Sequence, residues 1–341
     1  MKNRVSLCLC CLFVIAAVLV PLSAGAKEMT LKLAEWGPTK HYVAEARAEW
    51  IKTVNEAAKG KVKIVAYPGG QLYGPKDMHM AVAKGSVDMG VVLQPAAMGM
   101  IPMLQGVYLP FAFDSVDEAA EAYRGESLEI IKKALEKKRM KLIYTSFLDG
   151  VQMFSNKKNL ESIEDFKGLR VLSASPMFSE IMTLLGAAPD TSIPQDEQYM
   201  ALKRGVSDAT ANSTVGGYFQ KSHEVAPHHT KMNMSFATAM VCMNLKTWNK
   251  LPGEVQQVML EEGRKQKAKT LAMTKRWEKK FEGAIASEGG KVTTFPESER
   301  DKIKKIARPV WKEWAEKNGK QAKRLLELNL DKEHHEQTAQ K

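Results

Sequence analysis

The residues best suited to bind a ligand lie on two predicted strands in the middle of the chain. Arg170 lies within FKGLRVLSAS (166–175), and Asn212 lies within VSDATANS (206–213). A guanidinium can hold a carboxylate with two parallel hydrogen bonds, and a primary amide can both donate to a solute and accept from it. Polar residues at the ends of strands in α/β sheets usually line a ligand crevice. The pattern therefore predicts a binding site for a small solute.

Further candidate side chains lie at the ends of other predicted strands and helices. Trp36 ends the first strand, where it is either a core residue or a pocket wall, and we favour the wall. Glu35 is a candidate that matters if the solute carries an amine. For the remaining candidates core packing is as good an explanation as ligand contact; they are Tyr73, Gln94, Phe147 and Phe178.

Motifs typical of catalysis and of cofactor or metal binding are absent from residues 27–341. The sequence contains no Gly-rich phosphate loop, no H-E-x-x-H, no G-x-S-x-G and no C-x-x-C in this range. His228 and His229 are adjacent, and neighbouring residues point in different directions on most elements, so a zinc site is not expected. Cys242 lies in an apolar run, which favours a small buried side chain over a nucleophile. We expect neither an enzyme nor a protein with a cofactor or metal.

The first 26 residues have the pattern of a secretory signal peptide. Lys2 and Arg4 precede an apolar run at residues 5–22, and Ala24 and Ala26 fit the small-x-small cleavage rule. A retained transmembrane helix needs about 20 apolar residues and different flanks. Cleavage after Ala26 is therefore predicted, with export to the periplasm.

The charge balance argues against a nucleic-acid partner. Loss of Lys2 and Arg4 with the signal peptide takes the formal net charge from +11 to +9. The basic residues are spread among acids on helix faces, with few aromatic residues between them. A positive field that attracts small anions is the better explanation.

Strands and helices alternate along most of the chain. This order predicts an α/β fold with mostly parallel sheets flanked by helices. We expect a strand at residues 141–147 that ends before Asp149-Gly150 and residues 151–155, and one helix that runs from beyond Pro252 to about Glu288. That helix would be about 50 Å long, enough to span two lobes. The predicted lobes are residues 27–148 with 237–276 and residues 149–236 with 277–330, followed by a polar tail at 331–341.

Seven segments in fixed order resemble solute-binding proteins of the tripartite ATP-independent periplasmic (TRAP) transporters. They are GKVKIVAYPGGQLYGPKDM (60–78), AVAKGSVDMG (81–90), LPFAF (109–113), SIEDFKGLRV (162–171), LLGAAP (184–189), EQYMALKRGVSDATANS (197–213) and WNKLPGEVQQVM (248–259). The resemblance covers nearly all of residues 27–341. It implies a two-lobed periplasmic-binding-protein-like clamp with a long helix across both lobes, and delivery of a solute to an ion-gradient-driven permease.

One position departs from the family pattern. Members usually carry an arginine, which pairs with the ligand's carboxylate, where this chain has Leu172, whereas Asn212 matches the family's asparagine. Arg170 matches the basic residue two positions earlier. Residues two apart on a strand share a face, so Arg170 either reaches the same cleft or lies at the strand's outer end against solvent or an acid. Leu172 is expected to line a less polar pocket.

These features predict a monomeric, non-enzymatic periplasmic receptor for a small organic solute. The solute is either an organic acid or an aromatic or amphiphilic molecule, and the second partner is a TRAP permease. Two alternatives remain open: a ligand sensor that docks on a receptor, and a secreted enzyme on the same fold.

Overall fold

The computed structural model describes residues 28–173, 175–193 and 197–330. The predicted signal peptide and the predicted polar tail lie outside these ranges. Among the described residues no helix is long and apolar enough to cross a membrane.

Ten strands form the sheet framework of the described chain. They are β1 (Met29–Ala34), β2 (Val62–Tyr67), β3 (Met89–Leu93), β4 (Met140–Ser155), β5 (Arg170–Leu172), β6 (Ala188–Asp190), β7 (Ala209–Ser213), β8 (His228–Lys231), β9 (Phe236–Asn244) and β10 (Lys291–Thr294).

Helices cover the sheet. They are α1 (Tyr42–Ala57), α2 (Met78–Lys84), α3 (Gln94–Ala97), α4 (Val116–Glu121), α5 (Gly125–Lys137), α6 (Pro176–Leu184), α7 (Gln198–Lys203), α8 (Thr214–Phe219), α9 (Ser222–Val225), α10 (Leu245–Trp248), α11 (Gly253–Ser287), α12 (Glu297–Asn318) and α13 (Lys320–Leu330). Two 3₁₀ segments lie at Pro102–Val107 and Ile163–Phe166.

The strands are arranged in two groups that share β4. The order is β2-β1-β3-β9-β4-β7-β5-β6, with β8 also on β4 and β10 on β8. Five pairings are parallel, and the four antiparallel ones all involve β4 or β9. The predicted two-lobed α/β fold with mostly parallel sheets is confirmed. The group containing β1, β2, β3 and β9 forms the first lobe, and the group containing β5, β6, β7, β8 and β10 forms the second.

β4 is one strand of 16 residues, so the prediction of a break after Phe147 is wrong. Its first part pairs with β9 as far as Gly150, and its second part pairs with β7 from Val151 onward. Asp149-Gly150 resembles a turn in the sequence but forms an irregularity within the strand. Gly150 allows the side chain of Asn233 to lie close to the strand, because a Cβ added at Gly150 would lie 2.7 Å from Oδ1 of Asn233.

A second crossing between the lobes lies at residues 232–235, between β8 and β9. Gln152 of β4 accepts hydrogen bonds from the backbone N–H groups of Met232 (2.6 Å) and Asn233 (2.8 Å). Arg300 of α12 donates to the carbonyls of the same two residues, at 3.0 and 3.1 Å. This crossing is therefore held from both β4 and α12.

The predicted long helix is confirmed as α11, which has 35 residues and a length of about 50 Å. In the first lobe it packs on α1, where Trp50 Nε1 donates to the carbonyl of Met259 at 3.3 Å. In the second lobe Phe281 and Ile285 are buried, and Phe281 contacts the ring of Tyr218 in α8. α11 therefore spans both lobes.

Candidate solute-binding site

Asn212 lies near the end of β7, where the second lobe meets β4. It pairs with Gln152 of β4 across the sheet and is partly exposed. Its Nδ2 donates to Oε1 of Gln220 at 2.9 Å, and its Oδ1 accepts from the backbone N–H of Ser213 at 2.9 Å. The amide lies at the junction of the lobes, as expected for a residue that contacts a solute between them.

Gln152 is the centre of a buried polar network beside Asn212. Its Nε2 donates to Asn233 Oδ1 at 2.9 Å and to Glu278 Oε1 at 3.1 Å, in addition to the two bonds its Oε1 accepts from the crossing segment. Burial raises the pKa of Glu278, although nearby Lys231 opposes the shift. The network joins β4, the crossing segment and α11.

Asp149 is a second carboxyl group at this junction, and it is 1% exposed. Its Oδ2 accepts from the backbone N–H of Val215 in α8 at 2.8 Å, while its Oδ1 has no hydrogen-bond partner among the residues that the structure describes. Burial raises the pKa of Asp149 to about 7, and the charge of Glu278 adds to the increase.

The junction is rich in amide and carboxyl groups. Among the hydrogen bonds of the described residues, none joins Lys or Arg to Asp149, Gln152, Asn212 or Glu278. The described residues also contain no group of three or more His, Cys, Asp or Glu side chains placed to hold a metal.

Arg170 lies at the start of β5, away from this junction. Its Nε and Nη2 form a two-pronged ion pair with Asp208, at 2.9 and 2.7 Å, and these bonds lower the pKa of Asp208 to about 2. Asp208 precedes Asn212 by four residues, so Arg170 lies about 13 Å from Asn212 along the strand direction. The structure places Arg170 at the outer end of its strand, against an acid, which is the second of the two predicted alternatives. A ligand role for Arg170 stays a prediction.

Leu172 lies in the core of the second lobe. It is 1% exposed and belongs to a cluster with Phe154, Leu202 and Ile285. Its face of the sheet is covered by α7 and by the end of α11, which the local sequence does not reveal. In this structure the Leu172 side chain is enclosed by the core, and its role as a pocket wall stays a prediction.

Glu35 and Gln94 are engaged inside the first lobe. Buried Glu35 forms two hydrogen bonds with Arg47, at 2.8 and 3.0 Å. Gln94 is fully buried, donates to the carbonyl of Leu104 at 2.8 Å and accepts from Thr238 Oγ1 at 2.9 Å. Their polar groups are thus occupied by the protein itself, so neither is available to a solute in this structure.

The aromatic candidates divide into two pairs. Phe147 and Phe178 are buried in the largest hydrophobic cluster, and Phe147 packs edge-on against Tyr123. Trp36 and Tyr73 are only partly buried, and the Nε1 of Trp36 is enclosed without a hydrogen-bond partner. Trp36 and Tyr73 therefore remain candidates for a pocket wall. The burial of the two phenylalanines favours the alternative of core packing, and their contact with a ligand stays a prediction.

Several residues of the junction were not predicted from the sequence. Asp149 was visible as a polar residue between two apolar runs, but the pair Asp149-Gly150 is typical of a turn. Gln152 lies three positions further on in the same strand. Glu278 comes from α11, 126 positions from its partner Gln152, and carries no local signal.

Gly217 of α8 allows this helix to lie close to β4. A Cβ added at Gly217 would lie 2.4 Å from the ring of Phe154. We expect Gly217→Ala to lower the free energy of unfolding by about 1–3 kcal/mol through overpacking, as measured by urea denaturation. Gly283→Ala on α11 is the control, because nothing lies within 4 Å of its added Cβ. It should be neutral or stabilising by up to about 1 kcal/mol; equal losses in both variants would contradict the close packing of α8.

Comparison with known proteins decides the family. The sequence model of the bacterial extracellular solute-binding proteins, family 7, matches residues 33–318. The chain belongs to this family. Family 7 membership and the two-lobed fold confirm the resemblance to TRAP solute-binding proteins.

Relatives of this family 7 protein include one curated receptor and two solved structures. The sialic acid-binding periplasmic protein SiaP of Vibrio cholerae serotype O1 is 24% identical over 307 residues, covering 88% of this chain and 94% of that protein. A TRAP periplasmic solute-binding protein from Sulfitobacter sp. NAS-14.1 with bound β-D-galacturonate has a TM-score of 0.80 and 21% identity, covering 88% and 99% of the two chains. One from Desulfovibrio salexigens with bound orotic acid has a TM-score of 0.81 and 21% identity, covering 89% and 97%. The structural matches establish the fold.

Proposed function

We propose that this protein is a periplasmic receptor that binds a small organic solute between its lobes and delivers it to a TRAP permease. Family membership supports solute binding, and the two crossings beside Asn212 provide a hinge at which the lobes can close on a ligand. The relatives named above bind sialic acid, galacturonate and orotic acid. The proposal includes export with cleavage after Ala26 and a monomeric state. It also includes the absence of catalysis and of nucleic-acid binding.

The solute class follows from one observation. The position of the family's carboxylate-binding arginine is occupied by Leu172, which lies in the core, and the guanidinium of Arg170 is paired with Asp208. The junction instead offers the amide of Asn212, and Trp36 and Tyr73 are the partly buried aromatic candidates. We infer a solute with an aromatic or amphiphilic body whose polar end hydrogen-bonds to Asn212.

A thermal-shift screen of matched pairs tests this class. Orotic acid is compared with uracil, galacturonate with galactose, and benzoate and indole-3-acetate with their amides. A ligand that binds only the folded state raises the melting temperature by mass action. We expect the uncharged aromatic compounds to stabilise at least as well as their acids. Stabilisation confined to the carboxylates would contradict the proposed class, and turnover of any stabilising compound would favour an enzyme.

Substitutions of Asn212 and Arg170 should affect the affinity for the solute differently. Asn212→Ala is expected to weaken binding of the best compound from the screen by about 1–3 kcal/mol, because it removes a hydrogen-bonding partner of the solute. Arg170→Ala is expected to leave the affinity unchanged, because its guanidinium is paired with Asp208 and lies about 13 Å from Asn212 along the strand direction. Isothermal titration calorimetry measures both. A large loss in Arg170→Ala together with none in Asn212→Ala would reverse the assignment.

A further inference from the structure

The helix α8 begins two residues after Asn212 and is tied to the hinge strand β4. Ser213 Oγ accepts from the backbone N–H of Gly216 at 3.0 Å, and Asp149 Oδ2 accepts from that of Val215 at 2.8 Å. The first of these bonds lies within the second lobe, and the second joins α8 to β4. The start of α8 therefore has a fixed position relative to the crossing between the lobes.

The side chain of Asn212 is held by both ends of this helix. Ser213, the residue before α8, donates to Asn212 Oδ1, and Gln220, the residue after α8, accepts from Asn212 Nδ2, each at 2.9 Å. These two bonds fix the plane of the amide and distinguish its oxygen from its nitrogen. The orientation that Asn212 presents to a solute thus depends on the position of α8.

The far end of α8 reaches the first lobe. Phe219 is 42% exposed. The centroid of its ring nevertheless lies 6.1 Å from that of His41, the residue that caps α1 of the first lobe. It lies 5.4 Å from the ring centroid of Phe281 in α11. Burial, with a contribution from Arg47, lowers the pKa of His41 to about 4, so its ring is uncharged at neutral pH. An uncharged ring packs against Phe219 as an aromatic surface.

We propose that α8 couples the two tasks of the receptor: Gln220 positions the amide of Asn212, and Phe219 holds the second lobe against His41 of the first when the lobes close. Displacement of α8 would release both contacts together, because they lie on adjacent residues. The part that concerns Gln220 rests on the proposed ligand role of Asn212. The part that concerns Phe219 does not, since contact between the lobes is independent of the solute.

The closure contact is tested by the distance between the lobes without added solute. Residues 27–341 contain one cysteine, Cys242, which is fully buried, so spin labels can be placed through Glu56→Cys on α1 and Glu180→Cys on α6, both exposed. Pulsed electron paramagnetic resonance should show a shift to longer distances in Phe219→Ala. Phe219→Leu, which keeps an apolar side chain, should show a smaller shift.

Leu184→Ala on α6 is the matched control, because Leu184 is also an exposed apolar residue, at 55%. This substitution is expected to leave the distances between the labels unchanged. An unchanged distribution in Phe219→Ala, or an equal shift in Leu184→Ala, would overturn the closure role of α8.

The positioning role is tested by the side-chain amide signals of Asn212. In protein labelled with ¹⁵N at asparagine, Gln220→Leu should shift the Asn212 NH₂ pair and increase its mobility. Gln220→Glu keeps an acceptor oxygen and should restore the original signals. Unchanged signals in Gln220→Leu would overturn the positioning role. A ligand role of Asn212 itself is read separately, from the affinity of Asn212→Ala.

Discussion

Replacing Arg300 with Met is expected to lower the free energy of unfolding by about 3–5 kcal/mol, because three carbonyl groups lose their donor at about 1–3 kcal/mol each. Arg300 is buried and donates to the carbonyls of Met232, Asn233 and Phe113 and to the carboxylate of Asp114. Burial lowers its pKa to about 10, so it remains charged at neutral pH. The variant leaves carbonyl groups of the second crossing without a donor.

Urea denaturation of Arg300→Met measures this loss, and Lys302→Met is the control. Lys302 lies two residues away on α12 and pairs with Glu299 at the surface. We expect its removal to leave the free energy of unfolding nearly unchanged. A loss in Arg300→Met no larger than that of the control would show that the crossing segment does not depend on α12.

The second large effect is a pH dependence that originates at Asp149. Its pKa is about 7 in the folded protein against an ordinary value of 3.8, so the folded state holds the proton more tightly than the unfolded state. This carboxyl group therefore stabilises the fold fully below about pH 4, and the stabilisation is lost as the pH rises to about 7. The difference corresponds to at most about 4 kcal/mol.

Asp149→Asn removes this titration while keeping an oxygen that can accept from Val215. We expect the free energy of unfolding of the variant, relative to the original protein, to rise by about 2–4 kcal/mol between pH 4.5 and pH 8. Denaturant titrations at several pH values measure the difference. Glu180→Gln on the exposed face of α6 is the control and should give a curve parallel to the original. If the curve of Asp149→Asn ran parallel to that of the original protein, it would contradict a raised pKa of the buried Asp149 carboxyl group at the hinge.

The fold was largely predictable because its signals are local. The strands β1, β2 and β3 alternate with helical segments that are followed by Gly60 and Gly85, and no proline interrupts α11. β4 was divided in the prediction because Asp149-Gly150 has the local chemistry of a turn. In the structure the N–H of Val215 donates to the Asp149 side chain, and the backbone of Val151 bonds to Met234 and Ser235. These tertiary contacts override the local preference.

The site was less predictable because its decisive contacts join residues far apart in sequence. The shared face of Arg170 and Leu172 followed from strand geometry. The partner of Arg170 is Asp208, 38 positions away, and the helix that covers Leu172 begins at Gln198. The sequence pattern therefore indicated which residues could meet a solute, but it did not reveal which of them the fold had already engaged.

The most direct test of solute recognition at the junction is a crystal structure of the protein with the best compound from the thermal-shift screen. We predict that the solute lies between the lobes, with a polar atom at hydrogen-bond distance from the Asn212 amide and Trp36 against its body, and with no guanidinium in contact. A solute bound elsewhere, or one held by Arg170 after release from Asp208, would contradict the account.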